Sequence, residues 1–203
     1  MLSIEDKIEQ IIEKADKGRV FFTEDFREQG SPEAVKTALY RLGKRAFIER
    51  IGKGIYAKAA YSKLLCKEVL PSLDKVAKSI AQRDKVRLIP TGSYALYSLG
   101  LSTQIPLKVV YLTDGSPRKI NLTIGEIQFK RTSPRNLSYR GKISTLVVQA
   151  LKEIGQDKVT DKEIKQLLEH LKKEDYHDLK HDIKNAPQWI AEIMVEVLEY
   201  GSN

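Results

Sequence analysis

Lys36, Thr37, Tyr40, Arg41, Lys44 and Arg45 fall within ten residues and share the outward face of one helix. Val35, Ala38, Leu39 and Leu42 recur at helical spacing and take its inward face. Ammonium and guanidinium groups beside one phenol suit the phosphates and base edges of nucleic acid. Further along stand Arg50, Lys53 and Lys58, cations in a stretch that alternates like a strand. Phe47 to Ile51 alternates, Gly52-Lys53-Gly54 turns with a charged tip, and Ile55 to Ala57 alternates back. The helix has a start signal. Ser31 is placed to accept a bond from a first-turn amide, and Pro32 occupies the position where a missing N–H costs nothing. A basic helix followed by a basic-tipped hairpin is the recognition half of a winged helix-turn-helix. In that fold the helix enters the major groove of DNA and the hairpin, or wing, lies on phosphates.

Charge placement agrees. Residues 31–58 hold seven basic groups against two acids, a net of +5, whereas residues 1–30 hold five against eight, a net of −3. The positive charge is concentrated where such a module meets a polyanion. Residues 59–141 carry fourteen basic groups against five acids, and residues 142–203 carry nine against twelve. In the middle stretch Arg118, Lys119, Lys130, Arg131, Arg135 and Arg140 form the densest set. They are expected to make a second basic surface. It could contact DNA, dock an acidic protein, bind RNA, or be solvated only.

Catalytic patterns are missing. Gly92-Ser93 after an apolar strand is how a nucleotidyltransferase site opens. That chemistry needs two carboxylates one residue apart shortly afterwards to hold metal ions, and the next acid is the lone Asp114. Gly52-Lys53-Gly54 is too short for a phosphate-binding P-loop. His177 and His181 lie four apart beside Asp178 and Asp182, but no third ligand is evident, and His170 stands alone. With no Ser/His/Asp grouping, the expectation is no enzyme, no metal and no cofactor.

The elements around these residues follow from the same patterns. Ser3 to Lys14 reads as a helix with Ser3 and Asp6 as a capping box, Val20 to Phe22 as a short strand, and Thr23 as the cap of a brief helix. The full order for residues 1–58 is that of a winged helix-turn-helix. Residues 59–203 are expected to form a second, mixed α/β domain with a helical C-terminal portion, so the fold class is α+β. Ala59 to Arg83 looks helical, with a second start at Pro71. Strands are expected at Val86–Pro90, Lys108–Leu112, Lys119–Ile124, Ile127–Lys130 and Leu137–Tyr139, around a short helix at Tyr94–Leu99. Helices then follow at Lys142–Ile154, from Thr160 (with Glu163 as a capping box) through Leu171, at Tyr176–Lys184, and at Gln188–Leu198. The chain has 203 residues, 41% of them hydrophobic, with a net charge of +8. The single cysteine, Cys66, excludes an internal disulfide. With no apolar run long enough for a membrane span and no signal-peptide pattern, a cytoplasmic protein is expected.

Several blocks resemble a known family. RIGKGIYAK (Arg50 to Lys58) and the distinctive GSYALYSLGLSTQIP (Gly92 to Pro106) are similar to the AbiEi antitoxins of bacterial abortive-infection toxin–antitoxin systems. KVVYLTDGSPRKI (Lys108 to Ile120), FKRTSPRNL (Phe129 to Leu137) and APQWIAEIM (Ala186 to Met194) fit the same pattern. More narrowly, the chain is similar to antitoxin-like bacterial proteins described by a domain of unknown function in that superfamily. The resemblance implies a repressor of its own promoter that counteracts a toxin with a nucleotidyltransferase fold. Carried over by position, Lys36, Thr37, Tyr40 and Arg41 would face the DNA groove, and Arg50 with Lys53 would meet phosphates.

The expectation is therefore sequence-specific binding of double-stranded DNA at the chain's own operator, with Arg41 or Lys36 reading a guanine edge. Ser31 would position the helix, and Lys44, Arg45, Arg50, Lys53 and Lys58 would hold the backbone. Two alternatives are an interaction module that neutralises a toxin without specific DNA binding, and an RNA-binding protein. The sequence leaves the operator and the oligomeric state open.

Overall fold

Ser3 starts the first helix by the reciprocal bonds its sequence encodes. Its hydroxyl accepts from the Asp6 amide at 3.1 Å while the Asp6 carboxylate accepts from the Ser3 amide at 3.0 Å. This computed structural model describes residues 2–200, with side chains through Leu198. Helix α1 spans Ile4–Lys14 and strand β1 Val20–Phe22. A 3₁₀ helix follows over Thr23–Gln29. Thr23, expected to cap it, is its first residue; the Asp25 carboxylate instead accepts from the Phe22 amide at 2.8 Å. Helix α2, Pro32–Lys44, begins as expected, with the Ser31 hydroxyl accepting from Ala34 at 3.3 Å. Its end is set by the backbone. Gly43 stays inside the helix, and Ala46 takes the left-handed conformation (φ 55°) while the Phe47 amide donates back to the Leu42 carbonyl.

Strands β2 (Glu49–Gly52) and β3 (Ile55–Ala57) form the hairpin, and β1 pairs with β3, giving the antiparallel order β1-β3-β2. Gly54, at φ 68°, closes the turn in a conformation that glycine enters without penalty. Helix, strand, helix, helix and wing make a winged helix-turn-helix. Its core gathers Ile8 and Ile12 of α1, Phe21, Phe26 of the 3₁₀ helix, Val35, Leu39 and Leu42 of α2, and Ile48. Each such side chain removed from water contributes about 1.5–3 kcal/mol. The Phe21 and Phe26 rings stack with centroids 5.7 Å apart.

The stretch expected to be helical from Ala59 is not. Strands β4 (Ala60–Ser62) and β5 (Lys67–Val69) form a small hairpin, and only then does α3 run, Leu73–Asp84. Leu64 and Leu65 fit an apolar stripe in sequence, yet they sit at the hairpin tip, Leu64 with 91% of its surface exposed. Nothing there receives the stripe a helix would have presented. Pro71 and Ser72 do begin α3, the Ser72 hydroxyl accepting from Lys75.

By packing the chain divides into two units, Met1–Ile80 with Ile120–Glu126, and Ala81–Lys119 with Ile127–Asn203. The inserted segment of the first unit lies on the wing: Thr123 donates to the Ile51 carbonyl at 2.9 Å, and a Cβ added at Gly52 would stand 2.7 Å from Leu122.

A four-stranded sheet has the order β6-β7-β9-β8, with β6 Leu88–Pro90, β7 Lys108–Thr113, β8 Arg118–Leu122 and β9 Gly125–Arg131; the inserted segment is the end of β8, its turn and the start of β9. Helix α4, Ser93–Ser98, lies between β6 and β7 in sequence. Leu137–Tyr139, expected as a strand, does not form one. Pro134 starts a 3₁₀ turn over Pro134–Leu137 because its fixed φ suits a first helical position. Four helices complete the second unit: α5 Lys142–Ile154, α6 Asp161–Leu171, α7 Tyr176–Asn185 and α8 Gln188–Tyr200. Their shared core includes Val147, Val148 and Leu151 of α5, Leu167 and Leu171 of α6, Leu179 of α7, and Ile190 and Met194 of α8. Among the described residues no helix is long and apolar enough to cross a membrane.

The start of α5 has no cap of its own, since Gly141 offers no side chain. Two distant carboxylates supply it. Asp182, fully buried, accepts from the Arg140 and Gly141 amides at 2.8 Å each and from the Ser144 hydroxyl. Glu174 accepts from the Ile143 and Ser144 amides at 2.6 and 2.9 Å. Three of the amides that the helix leaves unpaired at its N-terminal end, those of Gly141, Ile143 and Ser144, and the Arg140 amide just before them thus find anionic acceptors, which the helix dipole also favours.

Other carboxylates are tuned by their partners. Burial pulls Asp84 upward, but hydrogen bonds and charges from Arg83 and Arg118 hold it below its ordinary value of 3.8. Asp114 is lowered by the Arg87 amide and guanidinium, and Glu163 by the Thr160 amide and hydroxyl of its capping box. A carboxyl with a depressed folded pKa stabilises the fold above its unfolded value and loses that contribution as pH falls through the folded one. Melting temperature is therefore expected to be insensitive to these groups from pH 7 to 5 and to fall below about pH 4. A melting temperature that rises on acidification from pH 5 to 3 would contradict the assignment.

Candidate nucleic-acid interface

The outward face of α2 divides into two flanks. Four-residue spacing puts Lys36, Tyr40 and Lys44 in one row on the wing side, and Thr37, Arg41 and Arg45 in the next row towards α1. All six side chains are exposed. Tyr40 leaves 61% of its surface in solvent, and the Lys44 ammonium lies 5.6 Å from its ring centroid. That contact sets a positive charge over the face of the ring. The Thr37 hydroxyl donates back to the Glu33 carbonyl at 2.9 Å, leaving its lone pairs and methyl outward.

Between this helix and the wing runs a groove of about 1150 Å³. Lys36, Tyr40 and Lys44 line it from α2, Arg50 and Lys53 from the hairpin, and Lys17 from the loop after α1, over an apolar floor that includes Leu39 and Ile48. Glu24, Glu49 and Glu68 also reach the lining, so cations outnumber acids. The Arg50 guanidinium donates to the Gly52 carbonyl at 3.3 Å, which keeps it along the wing, and Lys53 is exposed at the tip.

Three of the cations expected at this surface have internal partners. Arg45 is held by Glu9 in a bidentate pair at 2.9 and 3.0 Å and also reaches Glu5 at 3.4 Å. Glu9 and then Glu5 raise its pKa further above an already high value. Arg41 donates to the other oxygen of Glu5 at 3.5 Å, with 65% of its side chain exposed. Lys58, half-buried, also lines the groove, but its ammonium is engaged by the protein. It donates to the carbonyls of Ile12, Glu13 and Ala15 at 2.8, 2.8 and 3.1 Å and so closes the C-terminal end of α1. These partners lie 36 to 46 residues away in sequence, so no local pattern announced them. Nor did the sequence mark Lys17 as part of the groove.

The second basic set is also sorted by its neighbours. Arg118 pairs with Asp84, and its guanidinium sits 5.2 Å over the Phe129 ring, so its charge is spent within the second unit. Lys119, Lys130, Arg131, Arg135 and Arg140 are exposed. The Arg140 backbone serves the α5 cap. Burial pushes the Tyr139 hydroxyl above its ordinary pKa, an effect that Asp182 strengthens and Arg135 opposes.

Among the described residues no group of three or more His, Cys, Asp or Glu is gathered to hold a metal ion. Of His177 and His181, the second reaches a buried carboxylate. His181 Nδ1 lies 2.9 Å from Asp182 Oδ1, and that carboxylate is already committed to the start of α5.

No curated protein matches the chain. The family of unknown function DUF6088 matches it over residues 7–179, from α1 through the wing and both units into α7. A match of that extent, over a winged helix and the second unit alike, shows that the chain belongs to this family of unknown function.

Proposed function

We propose that the protein binds double-stranded DNA in a sequence-specific manner through α2 and the wing, and represses transcription from its own promoter. The supporting observation is the groove in which Lys36, Tyr40 and Lys44 face Arg50 and Lys53. A helix with this face fits the major groove of B-form DNA, which is wide enough to admit it. The wing-tip lysine is then placed for an adjacent phosphate. Lys36 and Arg41 are the residues able to bond guanine, with a discrimination of roughly 1–3 kcal/mol for a bidentate pair. Lys44, Arg50 and Lys53 position the module without reading sequence.

The resemblance to AbiEi antitoxins supports the further reading of an antitoxin whose partner is a nucleotidyltransferase-like toxin. On the second reading the second unit is an interaction module and the winged helix a scaffold. Ile105 and Leu107, exposed at 71% and 75%, favour it as apolar contacts offered by that unit. Both readings meet in one experiment. The purified chain is titrated onto its upstream promoter and onto unrelated duplex DNA at two salt concentrations. The proposal expects a preference for the promoter that persists at the higher salt. Equal, weak and steeply salt-dependent binding to both would reduce the groove to a generic polyanion site.

A further inference from the structure

Glu5 accepts from two arginines of the recognition helix at once, and the two bonds are unequal. Arg45 has Glu9 as its main partner, in two short bonds, and reaches Glu5 only in addition. Among the described residues Arg41 donates to Glu5, at 3.5 Å. The Glu5 side chain is mostly covered, at 21% exposure, while that of Arg41 is mostly in solvent. The carboxylate is thus fixed and its guanidinium partner can swing. A carboxylate offers arginine the same planar, anionic acceptor geometry that phosphate does. We propose that Glu5 is an internal competitor for Arg41, which DNA phosphate or a guanine edge must displace, so that α1 sets the affinity of the recognition helix. This rests on the DNA-binding reading above. Glu5 acts through Arg41 and is a positioning residue, with no contact of its own to DNA.

The exchange costs little because exposed ion pairs are weak and salt-screened. Arg45 keeps its bidentate hold on Glu9 throughout, so α1 and α2 stay clamped while Arg41 changes partner. The arrangement lowers binding to arbitrary duplex DNA, where Arg41 gains only a phosphate. It is overcome where Arg41 finds a better acceptor. The device restrains affinity.

The test measures the binding of Glu5→Gln to the promoter duplex and to unrelated duplex DNA. Glu5→Gln keeps the side chain's size and removes its charge. Its affinity for unrelated DNA is expected to rise roughly threefold at 50 mM salt, the worth of about one phosphate contact over a fourfold range of salt, and to approach wild type at 200 mM. The gain for the promoter is expected to be at least as large, because Arg41 leaves Glu5 fully there, and Glu5→Gln/Arg41→Gln is expected to lose the gain altogether. Glu9→Gln is the control, since it removes the same charge but leaves the Arg41–Glu5 pair intact. An equal gain from Glu9→Gln, or a gain that survives the loss of Arg41, would overturn the proposal, as would unchanged affinity in a variant whose circular dichroism and melting match wild type. Failure of wild type itself to prefer its promoter would instead sink the reading on which the proposal rests.

Discussion

Asp182→Ala is expected to destabilise the second unit by about 3 kcal/mol, the scale for removing one partner of a buried, hydrogen-bonded charge. The substitution deletes the acceptor of the Arg140 and Gly141 amides and of the Ser144 hydroxyl, at a position with no solvent exposure. Water cannot replace it without opening the packing of α5 against α7. Neither can a local side chain, because Gly141 stands at the cap. Glu174 remains on the Ile143 and Ser144 amides and limits the damage. The measurement is urea unfolding followed by fluorescence. The chain has one tryptophan, Trp189, and it packs against the helical core of this unit, so the signal reports this unit and not the winged helix. A loss below about 1 kcal/mol would show that the cap is redundant.

The second large effect concerns binding. Lys36→Glu with Lys44→Glu is expected to weaken binding to promoter DNA on the order of 100-fold at moderate salt and to flatten the salt dependence by about two contacts. Both side chains are exposed on the groove side of α2, and neither belongs to the core of the winged helix. Melting should accordingly stay near wild type. Reversal of Lys119 and Lys130 in the second unit gives the comparison. If that pair weakens promoter binding as much as the α2 pair, the interface has been placed on the wrong unit.

Much of this could be seen in the residues beforehand, wherever the signal was local. Ser3 with Asp6, Ser31 with Pro32, and Thr160 with Glu163 each lie within four residues, and each makes the expected start. The change from helical to alternating period after Leu42 marked the wing. What could not be seen depended on partners far along the chain. Lys58 carries the same charge as Lys53, and only the fold decides that one ammonium closes α1 while the other stands at the wing tip. Arg45 and Arg41 look alike in sequence, but Glu9 holds the first firmly and Glu5 the second loosely. Asp182 sat beside two histidines at metal-like spacing, and its role became visible only with the start of α5 brought against it. The hairpin of β4 and β5 misled for another reason. Leu64 and Leu65 fall at helical spacing from Val69 and Leu73, but apolar periodicity predicts a helix only where a surface exists to bury the stripe.

The wing is finished late in the life of the chain. Ile51 and Gly52 receive Thr123 and Leu122 from the segment Ile120–Glu126, which belongs to the first unit although it is encoded well after Ile80. A ribosome adding about 5–20 residues per second needs roughly two to nine seconds to extend the chain from Ile80 to Glu126. During that interval α1, the 3₁₀ helix and α2 can already pack, while the outer side of the wing waits bare. The nascent winged helix therefore matures in two stages, and synthesis of the second unit is under way before the first is complete.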